Sequence, residues 1–252
     1  FISVRLAVRK RQNYISFKGE KIMSKGRFTI PTDESFVEGT KIIAEKWGAD
    51  AVRDCDGTKL PENPGQFGKV YNTYFVVRGD NEWARKHPEE AQRIFLLSNR
   101  NPALKETLEI DIMKGFLKDE FDPDYAYIDL WEVYDRTTGI KHEKWGYNTI
   151  NGLVTIENAI PFHEYTVTFL ARVTWHPVQI YNYLTNEWTC EKQLTYDPAF
   201  PATKKYIVEH MKKWCEENPE TSVVRFTTFL YQFTLIFNNL GKERQVEWFG
   251  YA

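Results

Sequence analysis

The chain has 252 residues, of which 42% are hydrophobic and 27% charged, a composition typical of a globular protein with a buried core. A net charge of -2 excludes a general attraction to nucleic acid or to an anionic membrane surface, and the sequence contains no apolar run that would span a bilayer. The three cysteines are far apart and form no CxxC pair, which argues against a zinc site and favours a reduced, cytoplasmic chain.

The first 22 residues differ in charge from the rest, because they carry six basic side chains against one acid, a net charge of +5. One interpretation is a basic arm or a targeting peptide, although the segment lacks the apolar stretch of a secretory signal. Another is a translated leader, since 18–23 back-translates to a purine-rich ribosome-binding sequence followed by a start codon. We predict that Met23 is the first native residue and that residues 1–22 are a non-native leader.

The chain after Met23 opens with an α/β pattern. Residues 32–34 supply a cap and first-turn acids for a helix whose apolar residues recur at helical spacing, and Gly48 is expected to end it. A short apolar strand, 49–53, follows. Further strands are predicted at 69–78 and 93–97.

A hairpin-rich excursion of antiparallel strands is predicted between about Leu108 and Ile156, with a turn at 136–139. A long strand, 164–174, then returns to the α/β pattern. Helices are predicted at 178–184 and 203–217, and a last apolar strand, which ends in an arginine, at 222–226. From Lys242 the sequence predicts the opening of an amphipathic helix, with Val246 and Phe249 on its apolar side, that continues beyond Ala252.

Two arginines, Arg53 and Arg225, stand at the ends of predicted strands. Barrel enzymes place their chemistry at the carboxyl ends of parallel strands, so a shared ligand is expected to meet both side chains. A guanidinium group binds phosphate or a pair of sugar hydroxyls with a fork that lysine lacks. The alternative is structural, with each arginine in its own ion pair, such as Arg53 with Asp54 or Asp56.

The segment 175–183 gathers aromatic and amide side chains at one strand-to-helix junction. The amide of Asn182 both donates and accepts hydrogen bonds, which suits sugar hydroxyls, while the alternative is a polar helix surface. Hydrolysis of a sugar linkage needs two carboxylates across a cleft, and no pair stands out among Asp54, Asp56 and Glu187. His163 and Glu164 are adjacent on a strand, so they point to opposite faces and make a poor catalytic pair.

Several strings in collinear order resemble one known family, glycoside hydrolase family 112, and the resemblance runs from about Gly26 to Gly250. These are the 1,3-β-galactosyl-N-acetylhexosamine phosphorylases and their relatives that act on galactosyl-rhamnose. The strings are Gly26–Thr29 with Pro31, Trp47–Ala51, Asp56–Thr58, Trp131–Val133 with Asp135–Gly139, His163–Val167, Tyr181–Asn182, and Val223–Phe229 followed by Tyr231–Thr234.

The resemblance implies the amino-terminal, incomplete part of a TIM (β/α)8 barrel that occupies 23–252 of a longer enzyme. It places Arg53 and Arg225 at the galactose and phosphate subsite. Asn182 and Trp248 match substrate-contacting positions, and Val178 matches a position beside the acceptor sugar. The general acid of the family, an aspartate, has no counterpart here and is expected beyond Ala252, so the chain contains no catalytic residue.

The implied reaction is inverting phosphorolysis of a β-galactoside to α-galactose 1-phosphate and the acceptor sugar. Because phosphate replaces the activated water, one acid and orienting cations suffice, with no metal and no organic cofactor. The expected partners are a small galactoside and phosphate, with no nucleic acid or membrane, and a homodimer of the full-length protein stays open. A β-galactoside hydrolase and a non-catalytic galactoside-binding protein are the alternatives, and the acceptor is N-acetylglucosamine, N-acetylgalactosamine or rhamnose.

Overall fold

The computed structural model describes residues 28–54, 59–185, 187, 189–227 and 233–248. The chain divides into two compact units, Phe1–Asn72 and Thr73–Ala252. The predicted leader, 1–22, and the start at Met23 lie outside the described residues.

The first unit is a parallel α/β arrangement. Strand β1 (Thr29–Pro31) leads through helix α1 (Val37–Trp47) to β2 (Ala51–Arg53), and β2 pairs in parallel with both β1 and β3 (Lys69–Phe75). A 3-10 helix, Pro64–Phe67, precedes β3. The core of this unit is apolar and comprises Ile30, Val52, Phe67 and Val70.

The two ends of α1 follow the sequence prediction. Asp33 caps a 3-10 turn, Glu34–Phe36, that leads into the helix, and its carboxylate accepts a hydrogen bond from the Ser35 N–H at 2.9 Å. Gly48 ends the helix in the left-handed region with φ 69°, where a residue without a Cβ is favoured. Capping therefore marks the start of the 3-10 turn and the end of α1, whereas the N-cap residue of α1 itself, Phe36, makes no side-chain cap hydrogen bond.

Gly68 is a backbone position that only glycine suits, since its φ is +121° and an added Cβ would lie 2.4 Å from the carbonyl oxygen of Asp50. We expect Gly68→Ala to lower the free energy of unfolding of the full-length protein by at least about 1 kcal/mol, measured as a lower melting temperature. Gly146→Ala is the control, because a Cβ there meets nothing within 4 Å. Equal melting temperatures for the two variants would contradict the strain assigned to Gly68.

In the second unit, two helices pack against the carboxyl-terminal part of β3. They are α2 (Asn81–Lys86) and α4 (Pro201–Glu217). Strand β13 (Val223–Thr227) is the neighbour of β3, and the rings of Tyr74 and Phe226 meet edge to face at 6.4 Å. The buried cluster between these elements comprises Tyr74, Ala84, Tyr196 and Ile207.

The predicted excursion is present as two antiparallel sheets. A six-stranded sheet has the order β4-β12-β8-β9, with β5 and β7 also paired to β12, and a three-stranded sheet has the order β10-β11-β6. One apolar cluster contains side chains of both sheets, among them Ile110, Val133, Val154, Val167 and Phe169. The strands are β4 (Arg93–Leu97), β5 (Asn101–Pro102), β6 (Thr107–Asp111), β7 (Phe121–Pro123), β8 (Glu132–Asp135), β9 (Ile140–His142), β10 (Trp145–Asn148), β11 (Leu153–Glu157) and β12 (Glu164–Val173).

The excursion is longer than predicted, because it begins at β4 and includes β12. We predicted that 164–174 returns to the α/β pattern, but β12 pairs antiparallel with β4, β5, β7 and β8. Consecutive residues of β12 are buried, so both its faces are covered. A strand buried on both faces shows the same continuous apolar run in a parallel or an antiparallel sheet, which explains the error.

The last described elements follow a helix, α3 (Pro177–Thr185). Strands β14 (Phe233–Phe237) and β15 (Glu243–Trp248) form an antiparallel pair, so the helix predicted from Lys242 is wrong. The reason is the turn before it, where the Asn238 side chain accepts hydrogen bonds from the N–H groups of Leu240 and Lys242 and Gly241 takes φ 70°. That turn returns the chain alongside β14.

The architecture is α/β with parallel strands at the start and an antiparallel excursion, as predicted. Within the described ranges the strands do not close into a barrel, which agrees with the amino-terminal part of one. None of the helices in those ranges is both long and apolar enough to cross a membrane.

Candidate functional site

The two predicted arginines lie in different units. Arg53 is the last residue of β2, as predicted, and its Nη1 donates to the backbone oxygen of Asp54 at 3.3 Å. Arg225 lies in the middle of β13 rather than at its end, because the strand continues to Thr227. Both side chains are partly exposed. Their convergence on one ligand stays a prediction.

Helix α3 carries two of the predicted substrate contacts, Val178 and Asn182. They are one turn apart on the same side of the helix, and their exposed fractions are only 8% and 7%. The Asn182 Nδ2 donates to the backbone oxygen of Val178 at 3.0 Å, which fixes the orientation of the amide. The backbone of Trp248, the third predicted contact, pairs with Phe233 at the end of β15, and its side chain lies outside the description.

A second side of α3 is apolar and packs on the β14 strand. The buried cluster joins Trp175 and Ile180 to Phe237, with Leu117, Leu184 and Leu235 packed against it. Burial of these side chains stabilises the packing of α3 on β14, since each fully buried large apolar side chain contributes about 1.5 to 3 kcal/mol relative to exposure.

A third side of α3 is held by polar contacts of Gln179, which is 2% exposed. Its Oε1 accepts from the Trp175 indole N–H at 2.7 Å and from the backbone N–H of Gln193. Its Nε2 donates to the backbone oxygen of Glu191 and to the Cys190 sulfur, the latter at 3.3 Å. One amide therefore ties the helix to the segment 190–193.

Gln193 is also contacted from two other elements. The guanidinium of Arg78, which follows β3 and is 3% exposed, donates to its side-chain oxygen. The His176 N–H donates to its backbone oxygen at 2.9 Å. His176 is fully buried, and burial together with the nearby Arg78 charge holds its pKa well below the ordinary value. The imidazole is therefore neutral, and its Nδ1 accepts from the Val178 N–H at 3.3 Å.

A buried carboxyl group, Glu120, lies beside the apolar side of α3. Its backbone oxygen accepts from the N–H groups of Thr174 and Trp175, and its side chain accepts from the Phe237 N–H at 3.1 Å. Burial raises its pKa to about 8, against the smaller opposing effect of the Phe237 hydrogen bond. Glu120 has no signature in the sequence, since a lone glutamate in a polar loop carries no local signal of burial.

The neighbouring side chains of His163 and Glu164 have separate partners. His163 Nδ1 lies 2.7 Å from Asp135 Oδ2, and Glu164 pairs with Arg100 at 3.1 Å. Burial favours the neutral form of Asp135, but hydrogen bonds from His163, Thr138 and the turn backbone outweigh it and lower the pKa of that carboxyl. This pairing joins the β8–β9 turn to the start of β12.

The carboxylates considered for hydrolysis belong to different parts of the chain. Asp54 follows β2 in the first unit, Glu187 is exposed in the second, and Asp56 lies outside the described residues. A group of possible metal ligands, His87, Glu89 and Glu90, was not predicted. Its Glu90 carboxylate accepts from the Thr203 N–H at 2.9 Å and thereby caps α4, so we assign it a structural role.

The first unit has the parallel strand order, with a helix between β1 and β2, with which a TIM barrel begins. Residues 26–252 match the family described as the lacto-N-biose phosphorylase N-terminal TIM barrel domain. The chain belongs to this family, which confirms the resemblance inferred from the sequence.

Curated relatives match most of this chain. The 1,3-beta-galactosyl-N-acetylhexosamine phosphorylase Cphy3030 of Lachnoclostridium phytofermentans is 47% identical over 90% of this chain and 32% of its own length. A 1,3-beta-galactosyl-N-acetylhexosamine phosphorylase of Bifidobacterium longum subsp. longum is 43% identical over 91% and 31%. A D-galactosyl-beta-1->4-L-rhamnose phosphorylase of L. phytofermentans is 36% identical over 92% and 33%. The chain thus spans about a third of the length of the curated relatives it matches.

Proposed function

We propose that the protein containing this chain is a glycosyltransferase-type phosphorylase of β-galactosides. It transfers the galactosyl group of galactosyl-β1,3-N-acetylhexosamine or of galactosyl-rhamnose to inorganic phosphate with inversion. The products are α-D-galactose 1-phosphate and the free acceptor sugar. The observation that carries the proposal is the match of residues 26–252 to the phosphorylase domain family, together with relatives named as phosphorylases at 36% to 47% identity.

In the proposed reaction a phosphate oxygen forms a bond to the anomeric carbon while the bond from that carbon to the acceptor oxygen breaks. A general acid, proposed to be an aspartate outside residues 1–252, protonates the leaving oxygen. Arg53 and Arg225 orient the phosphate and the galactose, and Asn182, Trp248 and Val178 contact the substrate. Neither a metal nor an organic cofactor takes part.

The placement of these side chains supports the roles proposed for them. The arginines are partly exposed and planar, as a phosphate subsite requires. Val178 and Asn182 occupy one side of a helix whose other two sides are fixed by packing and by Gln179. A rigid helix is a better base for sugar contacts than a loop, because the side chains keep their positions without a further entropic cost.

The test is an assay of the full-length protein with galactosyl-β1,3-N-acetylglucosamine, galactosyl-β1,3-N-acetylgalactosamine and galactosyl-β1,4-rhamnose, each with and without phosphate. We expect phosphate-dependent formation of galactose 1-phosphate, and NMR of the product to show the α anomer. The 252-residue chain alone is the negative control, because the proposed acid lies outside it. Release of free galactose without phosphate would indicate a hydrolase, and binding without turnover a galactoside-binding protein.

A further inference from the structure

Two sides of helix α3 are held by neighbouring segments, and the contacts on one of them suggest a role for Gln179. Residues 176, 180 and 184 follow one side, of which Ile180 and Leu184 pack near β14. Gln179 and Tyr183 follow another, and Trp175, which precedes the helix, contacts both: its indole N–H donates to Gln179, and its ring meets that of Tyr183 edge to face at 5.2 Å. Val178 and Asn182 lie on a separate side of the same helix and are 8% and 7% exposed, so their position depends on how the helix as a whole is held.

The polar side of α3 is held mainly through Gln179. This side chain satisfies both its donor and its acceptor capacity with groups on Trp175, Cys190, Glu191 and Gln193, three of which belong to a different segment of the chain. Lys192 in the same segment places its ammonium 4.4 Å from the Trp175 ring centroid. A buried amide with this many partners has one orientation and resists rotation of the helix about its axis.

The segment 190–194, which Gln179 contacts, also receives hydrogen bonds from other parts of the chain. Gln193 receives the buried Arg78 guanidinium on its side-chain oxygen and the His176 N–H on its backbone oxygen. Asn81 adds two contacts, because its Nδ2 donates to the Lys192 backbone oxygen at 2.7 Å and its Oδ1 accepts from the Leu194 N–H at 2.9 Å. The segment 190–194 is therefore a fixed support for α3.

We propose that Gln179 is the positioning residue for the acceptor-sugar end of the active site, acting through the Val178 and Asn182 side of α3. This inference rests on the proposed function. Gln179 is itself 2% exposed and its polar atoms are engaged, so it acts on the substrate only through the helix. Loss of its contacts lets α3 rotate or slide, and displacement of a sugar contact by a fraction of an ångström weakens binding of that sugar.

The phosphate and galactose contacts proposed for Arg53 and Arg225 lie on strands β2 and β13, outside α3. A change at Gln179 should therefore act on the acceptor and leave galactose 1-phosphate binding almost unchanged. A purely structural role predicts something else, namely a lower melting temperature with unaltered Michaelis constants in the folded fraction.

The experiment measures reverse phosphorolysis by the full-length protein. Initial rates are measured at varied acceptor concentration with saturating galactose 1-phosphate, and then at varied galactose 1-phosphate concentration with saturating acceptor. Gln179→Met removes all four polar contacts while keeping a long flexible side chain. We expect the KM for the preferred acceptor to rise about tenfold. The KM for galactose 1-phosphate should stay within about twofold. Gln66→Met, at an exposed position, is the matched control and should change neither constant.

A second variant keeps the test decisive if Gln179→Met fails to fold. Gln179→Glu retains an oxygen for the Trp175 and Gln193 N–H groups and loses the donor to the Glu191 oxygen. The acceptor KM should again rise while the KM for galactose 1-phosphate stays almost unchanged, but the rise should be smaller, about threefold. An unchanged acceptor KM in a folded Gln179 variant overturns the inference, while inactivity of the wild-type protein on every galactoside would instead overturn the proposed function.

Discussion

Arg225→Lys in the full-length protein should lower turnover roughly ten- to a hundredfold while the melting temperature changes little. The substitution keeps the positive charge but removes the planar fork that binds two oxygens of a phosphate or a sugar. A charge-assisted contact of this kind contributes about 1.5 to 3 kcal/mol, and the full amount appears in the rate if the contact strengthens only in the transition state. Kinetic constants and melting temperature are measured on one preparation.

The control for Arg225→Lys is Arg100→Lys, which alters an exposed arginine paired with Glu164 at the start of β12. That variant should match the wild type in kinetics, because exposed ion pairs contribute little. Normal phosphate dependence in Arg225→Lys would rule out the proposed contact. A loss of stability with unchanged kinetics would show that Arg225 makes a structural ion pair, the alternative raised by the sequence.

Glu120→Gln should remove a pH dependence of stability that the wild type shows between about pH 5.5 and pH 7.5. Burial raises the pKa of Glu120 to about 8 from an ordinary 4.5, so the folded state holds a proton that the unfolded state releases. The contribution is fully present below pH 4.5 and is lost as the pH rises toward 8. Over the stated interval the loss is about 2 to 3 kcal/mol, from 1.36 kcal/mol per pKa unit.

The measurement for Glu120→Gln is denaturant unfolding of the full-length protein at several pH values, and the compared quantity is the slope of the unfolding free energy with pH. A glutamine still accepts from the Phe237 N–H but does not titrate, so its slope should be the smaller one. Glu109→Gln, at an exposed position on β6, makes the same chemical replacement and should leave the slope as in the wild type. Parallel slopes for all three proteins would refute the assignment to Glu120.

Sequence reasoning succeeded where the signal is local. Asp33 caps the 3-10 turn that leads into α1 and Gly48 ends α1, because capping chemistry acts within one turn, and the turn at 136–139 ends in Gly139, which accepts positive φ. The arginine of β2 was placed at its strand end for the same reason, since a short apolar run before a polar loop is a local pattern.

The failures concern contacts between segments distant in sequence. The pairing partners of β12 depend on strands that precede it by many residues, and an apolar run does not specify them. The polar contacts of Gln179 with 190–193 have no periodic signature, and neither does the burial of Glu120. The segment from Lys242, which contains Val246 and Trp248, is predicted to be a helix because its apolar residues are compatible with both the helical and the strand repeat. Only pairing with β14 decides between helix and strand.

The central position of β12 also determines the order in which the antiparallel excursion can be built during synthesis. Among the six strands of its sheet β12 emerges last from the ribosome, and β4, β5, β7 and β8 all need it as a partner. Among the described strands of this sheet, β8 and β9 alone can pair earlier. Until Val173 has been translated, the strands that pair with β12 have unpaired edges and exposed apolar residues. During this interval the nascent chain is most exposed to aggregation and to capture by chaperones.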